Sequence, residues 1–98
     1  MTFSVDVQLA VAAEFGVTHD DIISASRAAP LVKARHAAMF LVREQTALSL
    51  PQIGYVFGAR DHTTILHGIV RTTERLREDA ELAERLDRIR VKLLRTET

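Results

Sequence analysis

Five consecutive polar side chains, Arg60-Asp61-His62-Thr63-Thr64, hold the densest hydrogen-bonding chemistry in the chain. A carboxylate can accept from cytosine N4, a threonine methyl can pack on the thymine methyl, and an imidazole can meet a base acceptor or methyl. Arginine and threonine can also hold phosphate oxygens. Catalysis is the weaker reading of the same run. Acid, base and hydroxyl are neighbours in sequence, and neighbouring side chains on a helix diverge. His62 and His67 lie five apart, which turns them about 140° from one another on a helix. No cysteine and no suitably spaced carboxylate completes a metal site with them. No catalytic residue, cofactor or metal is therefore assigned, and an enzyme is not expected.

The run needs a scaffold, and the stretch Leu50–Leu66 supplies it. Ser49 predicts the cap of a short helix, with Pro51 in its opening turn and Gln52 completing a Ser-x-x-Gln capping box. Ile53, Val56 and Phe57 make one apolar face. Gly58 falls where a positive φ ends the helix. Asp61 is the expected cap of the next helix, which runs to about Leu76 and buries Ile65, Leu66 and Ile69. Two short helices around a glycine turn are a helix-turn-helix unit, whose second helix begins in the major groove of DNA.

At 98 residues the chain is expected to be one domain, residues 1–98, with a single helical core. Zero net charge argues against a nucleic-acid partner until its distribution is read. Residues 22–71 carry six basic and two acidic side chains, and the remainder carries the compensating acidic excess. Phosphates sense such a local patch within a Debye length. The absence of cysteine fits a reducing cytoplasm. No apolar run reaches the length of a membrane span.

In chain order, residues 3–15 predict a helix stopped by Gly16, with Ser4 as its cap and Val5, Leu9, Ala12 and Ala13 on the core side. Thr18 caps a short second helix that points Ile22 and Ile23 inward. Residues 24–31 read as a loop containing Arg27. Pro30 opens a long third helix to about Leu48, bearing Lys33, Arg35, His36 and Arg43. His67 is expected to be partly buried, and His19 to be exposed without a role. Residues 78–94 show Leu82, Leu86, Ile89 and Leu93 as a stripe. That stripe reads as a terminal helix folded on the core, with a dimerising coiled coil as the alternative. The fold class is all-α, a compact bundle of about six helices.

The run Ile53-Gly54-x-x-Phe57-Gly58-x-Arg60-Asp61-His62-Thr63-Thr64-Ile65 resembles the C-terminal DNA-binding domain (domain IV) family of the bacterial replication initiator DnaA. The likeness extends over roughly residues 5–94. It implies an all-helical, Trp-repressor-like fold that recognises a DnaA box in double-stranded DNA. It implies base reading by Asp61, His62, Thr63 and Thr64, and minor-groove contact by Arg27. Phosphate contacts would fall to Lys33, Arg35, His36, Arg43, Leu50, Pro51 and Arg60, with Leu50 and Pro51 acting through their backbone. Ala28 and Ala29 stand where the family's loop is commonly more basic, and His36 where glutamine is usual. No glycine-rich phosphate loop occurs, so the family's ATPase is not implied. The resulting expectation is a monomer on DNA in the nucleoid, regulating replication initiation or transcription. The alternatives are a module that binds the replication initiator or another replication protein, and a fragment of a full-length DnaA.

Overall fold

A computed structural model describes residues 2–96, and all regular structure among them is helical. The six helices are α1 Ser4–Phe15, α2 His19–Ile23, α3 Ala29–Gln45, α4 Leu50–Val56, α5 His62–Leu76 and α6 Ala80–Thr96. The all-α expectation and the helix count hold. α3 is the central element, packed against α1, α2, α4 and α5, while α6 covers α1 and the far end of α5. Its Ala34, Ala37 and Ala38 are fully buried and let its neighbours approach closely.

Three element boundaries follow from local chemistry. Gly16 ends α1 at φ 69°, in the left-handed region where glycine has no Cβ penalty. Thr18 caps α2: its hydroxyl accepts from the Asp21 amide at 3.0 Å, and the Asp21 carboxylate accepts from the Thr18 amide at 3.0 Å. α3 opens with Pro30 in its first turn.

Four expectations need correction. Phe3, not Ser4, stands at the α1 cap, where its amide donates to Asp6 at 3.2 Å. The core face of α1 is Val7, Ala10, Val11 and Ala12, whereas Val5 and Leu9 are 44% and 50% exposed and Ala13 is exposed too. Nearly every α1 position is small or apolar, so its periodicity does not select a face; α2, α3 and α6 select it. α3 stops at Gln45, because Thr46 turns to an extended conformation and its hydroxyl takes the Val42 carbonyl. His19 does have a role. Its Nε2 lies 2.9 Å from the Gln8 Oε1, and buried Gln8 donates to the Val56 carbonyl at 2.9 Å. That chain joins α2, α1 and α4.

The Leu82, Leu86, Ile89 and Leu93 stripe of α6 is buried in the core of this same chain. The folded-back reading of the terminal helix holds, and the stripe is not available to a second copy. Arg88 grips Glu14 on α1 through two bonds of 3.2 and 3.0 Å, and Arg90 grips Glu44 on α3 through two of 2.8 Å. These paired contacts fix the orientation of α6 more than they stabilise it, since exposed ion pairs contribute little.

Candidate nucleic-acid interface

The helix-turn-helix is α4, a turn over residues 57–61, and α5. Ser49 caps α4 as expected, its hydroxyl accepting from the Gln52 amide at 3.3 Å while the Gln52 side chain accepts from the Ser49 amide at 2.8 Å. The turn is closed by the Arg60 amide, which donates back to the Gly54 carbonyl at 2.8 Å. Gly58 adopts φ 85°, and Ala59 follows it at φ 60°. A Cβ on Gly54 would overlap the Arg60 carbonyl oxygen, so the turn can fold onto α4 only because residue 54 has none.

Asp61 caps α5. Its Oδ1 accepts from the Thr63 amide at 2.7 Å and from the Thr63 hydroxyl at 2.8 Å. These bonds, the amide's first, hold the Asp61 carboxyl below its ordinary range. His62 Nδ1 lies 3.3 Å from the same oxygen. All of Asp61, His62, Thr63 and Thr64 are exposed. The first turn of α5 thus projects a carboxylate oxygen, an imidazole and two threonine side chains outward. Ile65, Gly68 and Thr72 form its buried side. Leu66, expected to be buried, is 47% exposed.

The residues named for backbone contact divide. Arg27, expected in the minor groove, is exposed, and its side chain makes no hydrogen bond or ion pair with another described residue. Arg43 is exposed, with Nη1 donating to the Leu48 carbonyl at 2.9 Å just ahead of α4. Lys33 is tied to Asp79 at 3.1 Å, beside the far end of α5. Leu50 supplies an amide in the first turn of α4. Pro51 has no N–H, so its backbone cannot donate to a phosphate, and that part of the expectation is corrected. Arg60 points back into the protein: Nε donates to the Phe57 carbonyl at 2.9 Å and Nη2 to the Ser24 carbonyl.

Burial overturns one further expectation, at Arg35, and removes the charge from another, at His36. Arg35 is only 4% exposed, and its guanidinium donates to the carbonyls of Ile22, Ser26 and Asp21 and to the Ser24 hydroxyl. It is not a phosphate contact but the core of the α2–α3 connection. His36 is half-buried, with Nδ1 3.1 Å from Arg75 Nη1. Arginine can only donate, so Nδ1 accepts and the imidazole is neutral. Burial first, and then the Arg75 charge, push its pKa down to about 4, so it offers a phosphate no positive charge at neutral pH. Its ring meets His67 edge-on with centroids 5.8 Å apart. His67 itself is exposed, contrary to expectation.

A second helix beginning with outward polar residues, set on a tight glycine turn, defines the unit. Residues 5–71 match the family described as the bacterial dnaA protein helix-turn-helix. The chain belongs to that family. Among its relatives, the chromosomal replication initiator protein DnaA of Oenococcus oeni is 38% identical over 88 residues, covering 90% of this chain and 20% of the relative. DnaA of Rhodopseudomonas palustris strain BisA53 is likewise 38% identical, over 90% of this chain and 19% of its own length. DnaA of Nitrobacter hamburgensis is 36% identical, over 90% and 18%. The chain spans about a fifth of the length of these relatives. The DnaA family match runs from α1 to the middle of α5 and takes in the whole helix-turn-helix.

Sequence reasoning missed two features of this DnaA-type unit. Ala59 carries a left-handed conformation with no glycine to signal it. Gln8 couples α1 to α4, and its signal was a lone amide in an apolar helix. Among the described residues, no three His, Asp or Glu side chains converge as a metal site would require. No described helix is long and apolar enough to cross a membrane.

Proposed function

We propose that the chain binds double-stranded DNA sequence-specifically at a DnaA-box-like site. The start of α5 enters the major groove, and Asp61, His62, Thr63 and Thr64 read base edges there. Arg27, on the loop before α3, enters the adjacent minor groove, where a narrow A·T tract concentrates negative potential. Arg43 and the Leu50 amide hold the phosphates flanking α4, and Lys33 joins them by exchanging Asp79 for a phosphate. Arg60 has Nη1 left for a phosphate. The observation that carries this reading is the exposure of all four residues 61–64 on the first turn of a helix-turn-helix.

The relatives are named chromosomal replication initiators, and the proposed setting is correspondingly replication initiation or gene control in the nucleoid. The 98 residues contain no glycine-rich phosphate loop. Their own contribution at a box is to occupy it, as one domain and one copy. Selection of bound duplexes from a random pool, followed by anisotropy titration at several salt concentrations, tests the proposal. One enriched motif, bound far more tightly than a scrambled duplex, is expected. Equal binding of both at every salt concentration would refute it.

A further inference from the structure

On the DNA-binding reading above, we propose that Arg35 and Arg60 are positioning residues. Together they set the offset between the loop that carries Arg27 and the α5 turn that carries residues 61–64.

The loop over residues 24–28 has no regular structure of its own. Its shape comes from two small turns, in which the Ser26 amide donates to the Ser24 hydroxyl and the Ala28 amide to the Ser26 hydroxyl, each at 3.3 Å. Those turns do not attach it to the helix-turn-helix; the guanidiniums do. Arg35, on α3, gathers the carbonyls of Asp21, Ile22 and Ser26 at 2.9 Å each and the Ser24 hydroxyl at 3.1 Å. Arg60, one residue ahead of the α5 cap, takes the Ser24 carbonyl with Nη2 and the Phe57 carbonyl with Nε. Ser24 is therefore held from both sides, by its hydroxyl to α3 and by its carbonyl to the turn before α5.

Steric contact tightens the same junction. A Cβ on Gly58 would stand 2.8 Å from the Ile23 carbonyl oxygen, so the turn rests directly on the chain entering the loop. Arginine suits both places because its planar fork presents several fixed N–H directions, which a lysine ammonium does not. Burial disfavours the charge on Arg35, and the nearby Arg60 cation adds to that. The ring of carbonyl dipoles offsets that repulsion. Arg27 then stands exposed on a loop whose base is fixed to α3 and to the turn before α5. Reading the two grooves of one duplex at once requires such a fixed offset, because the minor-groove and major-groove contacts must fall on the same DNA.

A double-mutant cycle on the full chain tests this, with anisotropy on the duplex selected above. Arg27→Ala should weaken wild-type binding by about tenfold or more. In an Arg60→Met background the same change should cost less than about twofold, because an arm that is no longer placed has little to lose. Thr63→Ala should cost the same in both backgrounds. A role in folding alone would scale all of these together. If Arg60→Met does not fold, as judged by circular dichroism, Arg60→Lys keeps the charge without the fork and should show the same loss of coupling. Arg35→Lys should do so as well. A full Arg27 effect in these backgrounds overturns the clamp while leaving the DNA reading intact. A wild-type chain that prefers no duplex overturns both.

Discussion

Asp61 Oδ1 holds both the amide and the hydroxyl of Thr63, at 2.7 and 2.8 Å. Two of the proposed base-reading residues are thereby one unit. The Thr63 hydroxyl proton is committed to the cap, so Thr63 offers DNA its methyl and an acceptor, while Asp61 offers its second carboxylate oxygen. Thr63→Ala is expected to lose about 1–3 kcal/mol on the preferred duplex and to relax base choice at one position. Thr63→Val keeps the methyl and should retain that choice. Equal losses for the two variants in anisotropy titrations would show that the hydroxyl, not the methyl, does the reading.

Arg43 makes a contrasting prediction. It is exposed and anchored, among the described residues, only to the Leu48 carbonyl, beside the opening turn of α4. A phosphate contact there carries no sequence information. Arg43→Ala should weaken matched and scrambled duplexes alike and flatten the salt dependence by about 0.9 in the log–log slope. A loss confined to the matched duplex would place Arg43 at a base edge instead.

His36 sets a pH dependence of folding. Its pKa is depressed from 6.5 to about 4 in the folded chain, first by burial and then by Arg75. As pH falls, the unfolded chain takes up the proton first. The contribution of His36 is fully present above about pH 6.5 and is lost progressively down to about pH 4. With solvent screening allowed for, the loss is on the order of 2 kcal/mol. His36→Gln should flatten this part of the urea-midpoint profile. An unchanged slope in that variant would assign the acid sensitivity to other groups.

The features that sequence alone displayed are those decided within a few residues. Thr18, Ser49 and Asp61 announce their helices because a cap needs only an oxygen and an amide two or three positions on. Gly58 announces the turn because positive φ restricts residue choice. The all-α class and the family rest on such local signals. Arg35 was misread because its burial depends on carbonyls of residues 21–26 brought to it by tertiary packing. In sequence it is one more cation on a basic helix. The neutrality of His36 is hidden for the same reason, since Arg75 and α5 reach it only in the fold. α1 hid its face because its apolar residues lie all round, and neighbours rather than period decide which are covered.

Gly54 tests how tightly the turn is built. Alanine is ordinarily the better helix former by roughly 1 kcal/mol. Here an added Cβ would overlap the Arg60 carbonyl, a backbone atom that cannot swing aside. The clash should win, and Gly54→Ala should destabilise the fold by about 3 kcal/mol in urea unfolding. It should also break the Arg60 amide bond to residue 54 and shift the start of α5, so that the folded fraction binds the selected duplex poorly. A variant as stable as wild type would mean that the turn relaxes freely.

The α6 stripe decides between one copy and two. Leu86 is fully buried against the core of its own chain. Leu86→Ala should therefore cost about 2–5 kcal/mol, the range for a buried leucine whose cavity cannot fully collapse. Because the stripe is satisfied internally, the thermal midpoints of wild type and variant should not change with protein concentration. A helix that dimerised through Leu82, Leu86, Ile89 and Leu93 would behave differently, since mass action raises the midpoint of an associating fold as concentration rises. Melting curves over a hundredfold concentration range, read with sedimentation at the upper end, separate the two. A midpoint that climbs with concentration would mean that α6 exchanges its internal partners for a second chain.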